Sequence, residues 1–164
     1  MKYVLIGKIV NTHGLKGEIR ILSSFKYKNK VFIPNMKVYI GKEKTEEVIN
    51  TYRHHKIFEM ITLKNYNYID EVLKYKGEYI FVNKEDIKLS NNEYLDEDII
   101  GLNVYTDNKS LGIVKKIEDH NTNNILVVKN NDKTYLIPYN FDIITSINLE
   151  TKEMHVKNIP GLFD

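Results

Sequence analysis

The sequence predicts a mainly β protein, built as two small β-barrels in tandem. Three observations predict it. The 164 residues include 22 Ile and 12 Tyr, which favour strands, and no Ala, the best helix former. Short apolar runs recur at near-regular spacing between Asn- and Lys-rich clusters that read as turns. A polar break at Ser90-Asn91-Asn92 then separates two segments of opposite charge. Residues 1–88 hold 15 Lys, 2 Arg and 10 acids, giving +7, while residues 89–164 hold 7 Lys and 12 acids, giving −5.

Tyr3 to Val10 reads as a strand, broken by Asn11-Thr12-His13-Gly14. After Gly17, Glu18 to Leu22 alternates with period two, so the pair reads as a hairpin. Met36–Ile40, Glu47–Tyr52 and Ile57–Leu63 are further strands. Asn67 to Tyr75 is the best helical candidate, because Ile69, Val72 and Leu73 fall at i, i+3 and i+4. Gly77 ends it, and Glu78 to Val82 returns to strand. The acidic stretch Glu93 to Asp98 follows the break. Strands are then expected over Gly101–Tyr105, Leu111–Ile117, Ile125–Val128, Thr134–Pro138, Ile143–Leu149 and Glu153–Val156. The expected division is a first domain over 1–88, a linker and barrel entry over 89–98, and a second barrel over 99–164.

Composition excludes several classes. Without cysteine there are no disulfides, thiolate zinc sites or cysteine nucleophiles, which fits the cytoplasm. Met1 to Val10 carries only a short apolar run interrupted by Lys8, so no signal peptide is expected. No run approaches the ~18 apolar residues of a membrane helix, so no membrane insertion is expected. His54 and His55, as strand neighbours, point to opposite faces and do not jointly grip a metal easily. No metalloprotease helix, nucleophile elbow or phosphate loop occurs, and no metal or cofactor is expected.

The run from His13 to Arg20, His13-Gly14-Leu15-Lys16-Gly17-Glu18-Ile19-Arg20, is the richest local feature. Gly14 and Gly17 permit close backbone approach to a partner. Two readings fit: a plain hairpin turn, or a loop in which His13, Lys16 and Arg20 present donors to phosphate or a protein carboxylate. The charge asymmetry is equally open. It suits a basic module for nucleic-acid phosphates beside an acidic one with a different partner, or simply two solvated surfaces.

The run Gly7 to Ile21, which contains that loop, resembles the N-terminal signature of the RimM family of bacterial ribosome maturation factors. The resemblance continues through Tyr52-Arg53-His54-His55-Lys56, the helix around Asp70-Glu71-Val72-Leu73, and Glu93 to Leu102. Leu111 to Val114, Asn124 to Val128, Leu136-Ile137-Pro138 and Pro160-Gly161-Leu162 keep the pattern. It implies a six-stranded N-terminal barrel like those of translation factors, followed by a PRC-barrel. It further implies a non-enzymatic factor that binds the pre-30S particle and helps its head mature; a monomer is expected. The implied partners are the 3′ major domain of 16S rRNA and ribosomal protein nineteen of the small-subunit head.

By the same resemblance, His13, Gly14, Lys16, Gly17, Arg20 and Arg53 are candidates for the rRNA or ribosome surface. Tyr94, Leu95, Asp96 and Gly101 are candidates for the ribosomal protein. Two positions depart from the family pattern. The usual second aromatic after Tyr94 is Leu95, and Ser24-Phe25-Lys26 stands where Thr-Asp is common. A general RNA-binding module and an rRNA-processing enzyme are the alternative functions.

Overall fold

Alternation and turn chemistry shape the molecule, described here from a computed structural model over residues 1–163. The chain divides into two compact units, Met1–Leu89 and Ser90–Asp164.

In the first unit six strands close a barrel in the order β1-β2-β5-β4-β3-β6. They are β1 (Tyr3–His13), β2 (Glu18–Leu22), β3 (Lys37–Ile40), β4 (Thr45–His55), β5 (Phe58–Leu63) and β6 (Tyr79–Asn83). Period-two alternation sends Ile19 and Ile21 of β2, Val38 and Ile40 of β3, and Ile80 and Val82 of β6 to the interior, where all are buried. Closure removes the sheet edges that would otherwise invite another chain.

β1 serves both neighbours, pairing with β6 over Tyr3–Lys8 and with β2 over Lys8–His13. A register shift between Ile9 and Asn11 carries it past the expected stop at Asn11 as far as His13. A similar shift between Ile49 and Thr51 carries β4 to His55. Polar residues at both strand ends mask these extensions in the sequence, because ladder hydrogen bonds do not depend on side-chain polarity. The expected helix is a single turn, α2 (Ile69–Val72), continued by a 3-10 turn at Leu73–Tyr75. A further four-residue helix, α1 (Lys28–Val31), is too short to display helical periodicity.

The second unit begins with α3 (Asp96–Ile99), a helical turn within the acidic stretch. Its sheet has six strands in the order β10-β9-β8-β7-β12-β11. These are β7 (Asn103–Thr106), β8 (Lys109–His120), β9 (Asn123–Lys129), β10 (Thr134–Pro138), β11 (Ile144–Asn148) and β12 (Glu153–Val156). All pairs are antiparallel except β12 with β7. Ile99, Val104, Leu126, Ile137 and Met154 lie in its core. Among the described residues, no helix is long and apolar enough to cross a membrane.

Candidate nucleic-acid interface

The β1–β2 turn is held from outside the hairpin. Ile69 of α2 donates its backbone N–H to the Leu15 carbonyl at 2.9 Å. Gly17 sits at φ +86°, and a Cβ there would lie 3.1 Å from the Tyr68 carbonyl oxygen. Glycine is therefore required by both conformation and close approach. Gly14 has φ +73° with open space around it, and Lys16 is exposed on the turn.

Cross-strand register then assembles a row on the outer face of β1, β2, β5 and β4. His13 pairs with Glu18, and Asn11 with Arg20. Arg20 and Arg53 both pair with Met60, one from each side. Met60 is fully buried on this outer face, which fits the long apolar stems of two arginines lying over it. Arg20 Nη2 donates to His13 Nδ1 at 2.7 Å, and its guanidinium lies 5.0 Å from the Phe58 ring centroid. Arg53 grips Glu18 with both arms of its fork, Nε to Oε2 at 2.8 Å and Nη2 to Oε1 at 2.7 Å. The His13 and His55 rings stand 6.4 Å apart.

The electrostatics follow from this packing. The hydrogen bonds from Arg53 hold the Glu18 carboxyl below its ordinary value despite partial burial. Desolvation, followed by the positive neighbours Arg53, Lys56, His13 and Arg20, pushes the His55 imidazole down. Arg20 Nε is buried without a hydrogen-bond partner. Arg20, Arg53 and Lys56, with Lys16 on the turn, outnumber the one carboxylate, Glu18. Such a row offers N–H donors and net positive charge to phosphate oxygens.

His54 faces the other way, as strand alternation requires. Its Nδ1 lies 3.0 Å from Glu59 Oε1, and the Tyr52 hydroxyl donates to the same oxygen at 2.7 Å. Burial and that carboxylate push the Tyr52 hydroxyl up to about 12. Of this group only Glu59, 2% exposed, lies in the barrel interior; Tyr52 is half-buried, and the His54 side chain stays 57% exposed on the face opposite the basic row.

The second-unit candidates are placed differently. Tyr94 packs partly against the core, its ring stacked on Phe141 at 6.1 Å. Leu95, 5% exposed, points inward, and its carbonyl accepts from Asp98 and Ile99 at the start of α3. Asp96 opens that helix, and Gly101 donates its N–H to the Val114 carbonyl at 2.8 Å. The apolar replacement at Leu95 is thus a buried side chain.

Residues 4–87 match the family model described as the RimM N-terminal domain, and residues 96–162 match the RimM PRC barrel domain. The chain belongs to the RimM family. It is 38% identical over 166 residues to a ribosome maturation factor RimM of Staphylococcus haemolyticus, covering 98% of this chain and 99% of that one. A RimM from Exiguobacterium sibiricum is 35% identical over 173 residues, covering 100% and 99%. The solution structure of the N-terminal domain of RimM from Thermus thermophilus aligns at a TM-score of 0.47 with 16% identity, over 54% of this chain and 98% of its own.

Within this RimM architecture the structure brings His13, Arg20 and Arg53 together and holds Gly14, Lys16 and Gly17 in the adjoining turn. Sequence reasoning did not single out Glu18, His55 and Phe58 as members of the row. The available signal was alternation, because Glu18 shares a strand face with Arg20 and His55 shares one with Arg53.

Proposed function

We propose that this protein is a ribosome maturation factor that binds the pre-30S subunit and assists maturation of its head without making or breaking bonds. The observation that carries the reading is the match to relatives named ribosome maturation factor RimM over 98–100% of this chain and 99% of theirs. The geometry supports it further. The basic row of the first unit suits phosphates of the 3′ major domain of 16S rRNA. The second unit, with Tyr94, Asp96 and Gly101 around α3 and Leu95 beneath, suits a basic ribosomal protein, protein nineteen of the head.

Complementary charge of this kind speeds and orients docking more than it sets final affinity. Holding the protein and its rRNA site in compatible geometry favours the mature head over misfolded alternatives, which is population shift by differential binding. The factor works as a monomer in the cytoplasm, where bacterial ribosomes are built.

Sedimentation of the tagged full chain with cell extract tests this. Co-migration with immature small subunits but not with mature 70S ribosomes is expected, weakening as salt rises. Equal binding to unrelated RNA would indicate a general RNA-binding module instead. Cleavage of precursor rRNA by the purified protein alone would indicate an enzyme.

A further inference from the structure

The part of the same barrel where β1, β6 and β3 adjoin carries a second feature. Tyr3, Leu5 and Tyr79 are 39%, 50% and 49% exposed, although all three are large and apolar in body. They share an outer face with Phe81, the Cα partner of both Leu5 and Tyr39. The Tyr3 ring meets Phe81 edge-on at 6.4 Å and Tyr39 at 5.2 Å.

Two lysines stand over these rings. Lys44 Nζ lies 4.3 Å from the Phe81 centroid and 5.6 Å from that of Tyr3, and Lys8 Nζ lies 5.4 Å from that of Tyr79. Two carboxylates border the group at the Tyr39 hydroxyl, Glu46 accepting its hydrogen bond and Asp86 lying near it, so a phosphate backbone is favoured on the lysine side, away from both.

Exposed rings interleaved with ammonium groups supply both requirements of a single-strand site. Bases stack on ring faces whatever their identity, and the displaced ammonium turns to the neighbouring phosphate. A purely apolar partner would leave Lys8 and Lys44 desolvated and unpaired. A polyanion uses them.

We propose that Tyr3, Tyr79 and Phe81, with Lys8 and Lys44, form a stacking platform for unpaired RNA nucleotides, separate from the His13–Arg53 row. The proposal rests on the maturation-factor reading and deepens it, because it names a single-stranded segment as part of the RNA partner.

The test uses the full chain and a labelled oligouridylate of about ten nucleotides, beside an RNA duplex of equal length. Anisotropy should show preference for the single strand, with quenching of tyrosine emission. Tyr3→Leu and Tyr79→Leu should each weaken single-strand binding about tenfold, as expected for loss of one stacked base. Tyr79→Phe should retain it, and Lys44→Gln should lower the salt slope by about one.

Unchanged affinity in a folded Tyr79→Leu variant, or equal affinity for duplex, overturns the platform. Should the leucine variants not fold, an unchanged salt slope in Lys44→Gln or unquenched wild-type emission overturns it. A wild type that ignores the oligonucleotide, while Tyr79→Leu still lowers co-sedimentation with immature subunits, assigns the patch to a protein partner and also overturns it. Failure of the wild type to co-sediment sinks the maturation reading and leaves the oligonucleotide result standing.

Discussion

Arg20 donates to His13 Nδ1 at 2.7 Å, and a guanidinium can only donate. In the neutral imidazole this bond sets the tautomer, with the lone pair at Nδ1 and the ring proton at Nε2. The same guanidinium covers Phe58, so one residue fixes both a histidine tautomer and an aromatic ring on the basic row.

Arg20→Lys removes the planar fork and with it the stacking and the fixed donor, because an ammonium is a point charge. Co-sedimentation with immature small subunits should weaken about tenfold, the worth of one charge-assisted hydrogen bond. Unchanged affinity would show that the row does not face the particle.

Glu18→Gln breaks the two-armed contact with Arg53. The folded carboxyl titrates below its ordinary 4.5, so the ionised form contributes stability above that value. The contribution is lost as pH falls through the folded value. Thermal melts should separate variant from wild type at neutral pH and converge in acid.

His55 should titrate below its ordinary 6.5 in a histidine NMR series on the folded chain. The unfolded chain then binds more protons near and just below that pH, so this residue makes stability rise with pH across the window. Arg53→Gln removes one of the repelling charges and should move the midpoint upward.

Two glycines test the backbone. Gly17→Ala places a Cβ at positive φ near the Tyr68 carbonyl and should cost about 1–3 kcal/mol. Gly112, at φ +130°, leaves only 2.3 Å between a Cβ and the Lys129 carbonyl oxygen. Gly112→Ala must push β8 from β9 and should cost roughly 3 kcal/mol or more. Urea unfolding midpoints rank the two, and the reverse order would contradict the packing.

Leu95→Ala should destabilise the protein by about 2–4 kcal/mol, as for other buried leucines. Leu95→Met, close in volume, should cost less than about 1.5 kcal/mol. If Leu95→Ala instead leaves the urea midpoint unchanged and lowers particle binding, the side chain contacts a partner directly.

Most strands were legible because burial on one face imposes period two, which residues such as Ile19 and Ile21 carry openly. The ends of β1 and β4 were not, since His13 and His55 extend their ladders through backbone bonds. One-turn helices such as α1 and α3 leave no periodic trace. The pairing of the two arginines with Met60 depends on register between β2, β5 and β4, which no local pattern states.

The sequence by itself determined a β-rich chain of two oppositely charged segments and the motif from Gly7 to Ile21. Composition, alternation and turn residues are local properties, and they survive translation into strands. Tertiary structure decided which side chains meet. Barrel closure brings Tyr3, Lys44 and Phe81 together from the two ends and the middle of one unit, and it aligns Arg20 with Arg53 across Met60. Those placements rest on strand order and register, which are set by how the whole barrel buries its interior face.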